Sequence, residues 1–417
     1  MEAFRLNTLS GCKWISVSAV AGLLAGGVMG EDWPFFRGPD HNGVSSETGW
    51  QVDWPESGPR VAWEAEAGVG AASVTVAGNR AVTMGSREDL DVITCYEAET
   101  GNVLWKYPYA CKFDARMFEG GTASTPTIAE GNIYTLSYNG QFHCLDLETG
   151  KVVWKTNLVD EHGGRLPQWA FSGSPLVQGD LVIIDNGGDG TSTLALDRKT
   201  GEQQWAVGKD TAGYASPIPF AQDDRNGVLV FKGKHMVAYD IKNGKEQWRI
   251  PWETDYDVNA SSPLILRDKL FISSGYKGGR GALYQLGGGQ PRELWVNKEL
   301  KTKMSSCAAL DGHVYGITEK KSRLLCLELD SGEIVWEERG FTQNGTLLIV
   351  GTHIVALTDQ GEAVVVEANP EQYSEISRAE VLTGRCWVNP AFSGGRLFCK
   401  NNDGHIKVLD LRSESYP

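Results

Sequence analysis

Apolar residues alternate with polar ones over about five positions at a time along this chain, and most such stretches are bounded by Gly, Asn or Asp. This is the pattern of short strands joined by tight hairpins. Ser124-Thr-Pro126, Gly173-Ser-Pro175, Ala215-Ser-Pro217, Ser261-Ser-Pro263 and Ser305-Ser-Cys307 each begin one such strand. Most are followed by a glycine-containing turn and a second strand, as in Glu130 to Tyr134 and Asp311 to Tyr315.

A longer signature recurs downstream of these pairs. Ala195-Leu-Asp197-Arg-Lys-Thr200-Gly201-Glu-Gln-Gln-Trp205 returns as Cys144 to Trp154 and Ala238 to Trp248, more loosely as Cys95 to Trp105 and Cys326 to Trp336, and in degenerate form ending at Trp295. Its Asp-x-x-Thr-Gly centre predicts a hairpin turn in which Gly takes the positive φ that other residues resist. Each period therefore yields four strands. From Trp63, which closes no preceding copy, the tryptophans Trp105, Trp154, Trp205, Trp248, Trp295 and Trp336 follow at intervals of 41 to 51 residues. Periods of that length belong to propeller blades.

Six periods end at Trp336, a worn seventh runs through Gly351 to Tyr373, and an eighth spans Asn389 to Leu411 without a Trp strand after it. The missing strand is predicted to be Pro59 to Glu66, carrying Trp63. A ring closed by strands from both ends leaves no open sheet edge. The expectation is an all-β, eight-bladed β-propeller of four antiparallel strands per blade, with seven blades as the fallback. It forms one domain over residues 59–417, preceded by an extended segment over 31–58.

Composition refines this picture. The 417 residues are 41% apolar and 22% charged, enough for a large core, and the repeat turns a length suggestive of two or three domains into one ring. A formal charge of −14 argues against nucleic acid or anionic lipid as the main partner. Arg5 and Lys13 precede a charge-free run from Trp14 to Gly30, with small residues Val28 and Gly30 before Glu31. That reads as a cleaved signal peptide over residues 1–30, the run being shorter than the roughly 20 residues of a spanning helix. Export to the periplasm or outside the cell, with no membrane span left after cleavage, is the expected localisation.

The Ala-x-Asp-x-x-Thr-Gly-x-x-x-Trp signature resembles the tryptophan-docking motif of the pyrroloquinoline-quinone (PQQ) repeat superfamily. That superfamily includes quinoprotein alcohol dehydrogenases and the outer-membrane β-barrel assembly lipoprotein, both eight-bladed. Trp33-Pro-Phe-Phe-Arg-Gly-Pro39 and Trp169-Ala-Phe-Ser-Gly-Ser-Pro175 are similar to a secreted group of planctomycete PQQ-repeat proteins. The resemblance covers residues 33 to 412 and implies the fold; the repeat is a scaffold shared by enzymes and non-enzymes.

A quinone dehydrogenase needs a calcium with oxygen ligands, a carboxylate base, a cation near the quinone oxygens and flat surfaces around the ring. The adjacent cysteines common in family enzymes are absent. The expectation is therefore a non-catalytic binding or assembly scaffold, for a protein or small molecule at one face, with no firmly implied cofactor. The alternative is a PQQ- and calcium-dependent oxidoreductase acting on an alcohol or sugar.

Candidate ligand contacts follow from propeller geometry, because the connector from one blade's outer strand to the next blade's inner strand ends at the channel mouth. Those ends place Arg116, Glu119, Trp169, Tyr214, Asp257, Asn259, Lys303 with Met304, Asn344, and Trp387 with Asn389 on one face. The longest connectors, Lys106 to Thr122 and Lys155 to Ser172, form the expected recognition surface. Asp185-Asn-Gly-Gly-Asp189-Gly190 reads as a hairpin turn, and the seven histidines lack zinc spacing, so no metal site is expected. Cys95, Cys144 and Cys326 stand where other repeats have alanine and are expected to pack in the core. Pairing among Cys111, Cys307, Cys386 and Cys399 stays open, although a hairpin centred on Gly394-Gly395 would set Cys399 opposite Pro390, which disfavours a direct bridge to Cys386.

Overall fold

The computed structural model describes residues 30–114, 119–222 and 225–413. The leader expected over 1–30 lies, but for Gly30, outside these residues, as does Arg116. Eight sheets of four antiparallel strands follow one another in chain order, which settles the blade count at eight. Blades 1 to 4 span residues 75–110, 127–157, 176–207 and 218–251, and blades 5 to 7 span 264–297, 308–339 and 346–380. In blade 8 the strands over 391–410 are completed by Arg60–Glu66, which runs antiparallel to His405–Asp410 with Trp63 opposite Val408.

The repeat signature produces this geometry in two steps. In blade 2, Asp146 Oδ1 accepts from the Thr149 N–H (2.8 Å) and hydroxyl (2.6 Å), and Gly150 follows at φ 68°. Asp197 and Thr200 repeat the arrangement in blade 3. In every blade the pairing of the third and fourth strands then slips by one residue, a bulge that comes just before the docking tryptophan where one is present.

Each tryptophan docks on the neighbouring blade. Trp63, Trp105, Trp154, Trp205, Trp295 and Trp336 donate their indole N–H to carbonyls of Ala98, Leu147, Arg198, Ile241, Leu329 and Asn369, at 2.8–3.0 Å. All of these but Trp336 also lay the indole ring against the turn glycine of that next blade, so closely that a Cβ on Gly150 or Gly201 would fall 2.6 Å from it. Trp248 faces the degenerate turn after Leu286, and its buried N–H finds no acceptor among the described residues. Cys95, Cys144 and Cys326 sit directly opposite Trp105, Trp154 and Trp336, fully buried as the alanines are. The seven cysteines among the described residues are free thiols, and Ala391 pairs with Phe398, the register that puts Cys399 level with Pro390.

The Ser-Pro elements link inner strands of neighbouring blades at four junctions. Ser73 N–H donates to Thr125 Oγ1 (2.9 Å), Thr125 N–H to Ser174 Oγ (3.0 Å), and Ser174 N–H to Ser216 Oγ (2.9 Å). Ser262 N–H donates likewise to Ser306 Oγ (2.8 Å).

One end of the channel is covered by the segment after Gly30. Trp33 bridges Val76, the Pro34 carbonyl accepts from Ile128, and Val44–Ser45 adds a fifth, parallel strand to blade 7. Glu47 accepts from the N–H groups of Gly394 and Gly395 in blade 8, both at 2.8 Å. Between these contacts Arg37 reaches the carbonyls of Ser306, Cys307 and Leu347 and is 3% exposed. Burial lowers its pKa to about 10, which still leaves it charged at neutral pH. The contacts fall mainly beside the turns that end the inner strands, so the segment closes the end opposite the connectors.

Two lysines are buried between blades. Lys232 donates to Asp185 (2.6 Å) and to the Ser192 carbonyl (2.7 Å), and Asp185 also accepts from Gly213 N–H. This corrects the expected turn over Asp185–Gly190: the strand Leu181–Gly188 runs through Asp185, and only Asp189 and Gly190 turn. The cause is a partner from the next blade, invisible to local reading. Lys400 is 1% exposed, with the carbonyls of Gly70 (2.6 Å) and Ala72 (3.0 Å) as its acceptors. Burial penalises the ammonium form and lowers its pKa to about 7.

Three outcomes are expected in urea unfolding followed by fluorescence. Gly201→Ala costs roughly 1–3 kcal/mol through its positive φ and the clash with Trp154, whereas Gly288→Ala, where an added Cβ meets nothing within 4 Å, changes little. Trp205→Phe loses a made hydrogen bond and Trp248→Phe does not, so the former costs about 1 kcal/mol more. Between pH 7 and 10.5 unfolded Lys400 binds a proton that the folded group does not, so its contribution makes stability rise with pH across that window. Lys400→Met is expected to lose this rise, the difference from the parent changing by up to about 1.4 kcal/mol per pH unit.

Candidate functional site

At the connector end of the channel lies a cavity of about 660 Å³. Connectors approach it from the starts of inner strands, and so do the hairpins between second and third strands, which return to the same face of an antiparallel blade. The cavity is walled by aromatic side chains from different blades. Trp169 and Tyr214 have ring centroids 6.0 Å apart, Trp169 and Tyr256 are 5.8 Å apart and nearly perpendicular, and Tyr256 and Tyr276 are 6.3 Å apart at 78°. Lys303 Nζ stands 4.9 Å from the Tyr276 ring centre.

The opposite wall is polar. Glu119 pairs with Arg385 Nε at 3.0 Å and accepts from Asn402 Nδ2 at 3.5 Å, while Arg385 lies over the Trp387 ring at 4.4 Å. Asn402 Oδ1 in turn accepts from the Trp387 N–H, at 3.1 Å. Burial raises the pKa of Tyr214 to about 12 and also raises that of Tyr276, so both hydroxyls stay protonated donors at neutral pH.

Backbone strain gathers at this site. Ala170, Tyr256 and Tyr276 line the cavity with φ of 68°, 65° and 63°, a region that costs a non-glycine residue about 1–3 kcal/mol. Tyr256 is 65% exposed, so packing in the core does not explain the conformation it holds.

Of the residues expected from sequence, Glu119, Trp169, Tyr214, Lys303, Met304 and Trp387 meet around the cavity. Asp257 and Asn259 lie beside it without lining it. Asn259 is fully buried, its amide donating to the carbonyls of Lys232 and Gly233 at 2.9 Å, a role in joining blades. Asn344 contacts Asp359 at 3.4 Å, and the Asn389 carbonyl accepts from the Ser73 hydroxyl. Sequence reasoning missed Tyr138, Tyr276 and Asn402, which come from hairpins between second and third strands, and Tyr256, next to the chosen Asp257. A usable signal was available for the hairpins, since the turns after the second strands at Ser137-Tyr138 and Gly275-Tyr276 each put an aromatic on the connector face.

The donor set can be tested against a calcium-held quinone tricarboxylate. The described acids of the cavity are Asp114 and Glu119, and Glu119 already serves Arg385 and Asn402. Among the described residues no three His, Cys, Asp or Glu groups converge as metal ligands, and Lys303 is the one cation lining the cavity. These residues do not fit that cofactor. Among the described residues, no helix is long and apolar enough to cross a membrane.

Comparison with known proteins finds similarity to proteins of two kinds. The quinone-dependent alcohol dehydrogenase subunit of Komagataeibacter europaeus is 28% identical over 119 residues, 26% of this chain and 16% of that protein. The chain thus spans under a fifth of the length of the dehydrogenase subunits it matches. Outer membrane protein assembly factor BamB of Burkholderia pseudomallei is 21% identical over 70% of this chain and 77% of its own. Among solved structures, BamB from Moraxella catarrhalis superposes with a TM-score of 0.66 at 18% identity, covering 86% of this chain and 99% of that one. Quinohemoprotein alcohol dehydrogenase from Comamonas testosteroni gives 0.63 at 15% identity, covering 92% and 81%. At such identities the superpositions establish the fold alone. A family profile described as outer membrane protein assembly factor BamB matches residues 91–338, more than half the chain and the stretch that carries the docking signature, and the chain belongs to that PQQ-repeat family.

Proposed function

We propose that this protein is an exported, non-catalytic binding scaffold that captures its ligand in the aromatic cavity at the open channel mouth. The observation that carries the reading is the aromatic lining of the cavity, where Trp169, Tyr214, Tyr256 and Tyr276 come together from different blades. A general base needs a carboxylate directed at substrate, and Glu119 is instead engaged by Arg385 and Asn402. The aromatic walls, by contrast, need only a partner that stacks on them.

Membership of a family that also contains quinone-dependent dehydrogenases supplies the competing reading. Purified protein incubated with PQQ and calcium and then desalted is expected to retain no quinone absorbance and to reduce no dye with alcohols or sugars. Retained quinone together with substrate-dependent dye reduction would overturn the scaffold reading.

A further inference from the structure

The cavity's chemistry narrows the class of ligand, on the footing that the cavity is a binding site as proposed above. Its volume of about 660 Å³ lies inside the roughly 300–1,000 Å³ range of small-molecule sites. The rings of Trp169, Tyr256 and Tyr276 stand close to perpendicular in sequence, at 85° and 78°. Their faces therefore point in different directions, and a single flat aromatic ligand cannot stack on all of them. A ligand with several apolar faces set at angles to one another can.

Charge argues against an ionic ligand. Among the described residues the cavity's acids are Asp114 and Glu119 and its cation is Lys303, so neither sign dominates. A quaternary ammonium would suit a cage of tyrosine and tryptophan, but Lys303 Nζ already stands 4.9 Å from the Tyr276 ring centre and would repel it. The uncharged polar groups tell the other half: Gln168 and Asn402 carry amides, and Ser172 and Tyr214 carry hydroxyls, all groups that both donate and accept. Vicinal hydroxyls on a ligand are donors and acceptors at once and pair with such groups without a net charge.

We infer that the cavity binds a neutral oligosaccharide, with pyranose C–H faces on Trp169, Tyr256 and Tyr276 and ring hydroxyls on the amides of Gln168 and Asn402. Tyr256 is the most exposed of these rings, and its left-handed backbone is held without the compensation of burial. Saccharide stacking would add to its edge-to-face contacts with Trp169 and Tyr276.

The test is titration of the full chain with maltotriose, cellotriose, laminaritriose and mannotriose up to about 10 mM, by tryptophan fluorescence and calorimetry. At least one trisaccharide is expected to bind with Kd between about 10 μM and 1 mM and to perturb the indole emission. Tyr256→Ala and Trp169→Ala are each expected to weaken that binding about tenfold or more. Raising the ionic strength from about 0.05 M to about 0.5 M is expected to leave it within about twofold, as suits an uncharged ligand. Because Tyr256 is solvent-exposed, its variant should keep the parent melting temperature, which separates lost binding from lost folding. Absence of binding by all four sugars, or binding untouched by both aromatic variants, overturns the saccharide assignment. An outcome in which these sugars fail and an aromatic or peptide probe still quenches Trp169 overturns it too, while sparing the binding reading. Only retention of PQQ with dye reduction removes both.

Discussion

Much of this ring depends on one contact, the indole of one blade laid on the turn glycine of the next, which five blade junctions share. A four-stranded blade has two faces to bury and no partner within itself, so its core must form between blades. The cluster that joins Phe142, Cys144 and Trp154 of blade 2 to Val182, Ile184 and Leu196 of blade 3 shows this directly. The Asp-x-x-Thr-Gly turn and the bulge ahead of the tryptophan serve the same contact, one by making room for the ring and the other by aiming it. Where the turn has decayed to Gly287-Gly288-Gly289, Trp248 keeps its packing but loses its acceptor. A closed ring tolerates one such defect because the flanking interfaces hold the blade in place.

With its circumference so constrained, the propeller has freedom only at its two ends. One end is taken by Arg37 and its neighbours, the two terminal guanidinium nitrogens donating to backbone carbonyls. Gly43 is required there, since a Cβ at φ 75° would run into that guanidinium. The other end stays open and gathers the long connectors, the strained tyrosines and the cavity. The asymmetry points ligand access to one face.

Much of the candidate site was legible once the blade register was known. Glu119, Trp169, Tyr214, Lys303 and Trp387 all precede inner strands, and propeller geometry alone delivers such positions to the channel mouth. Tyr138, Tyr276 and Asn402 escaped because hairpins between second and third strands were not counted, although an antiparallel blade brings them to the same face. Tyr256 escaped for a different reason. Left-handed backbone at Tyr256 and Asp257 decides which of two neighbours lines the cavity, and local composition carries no trace of that choice. Asn259 and Asp185 were misjudged through partners on other strands, a carbonyl pair in one case and Lys232 in the other.

By itself the sequence determined the repeat, its period and the four strands of each blade, the closure by Pro59 to Glu66 and the burial of the repeat cysteines, and it favoured eight blades over seven. Those features follow from a period and from turns whose chemistry is local, so reading along the chain suffices. Only the tertiary structure decided what faces what: the lysine beneath blade 8 with two carbonyls for partners, the plug at one end, and the rings assembled at the other. Each of these depends on residues from blades far apart in sequence, and their distances are set by closing the ring.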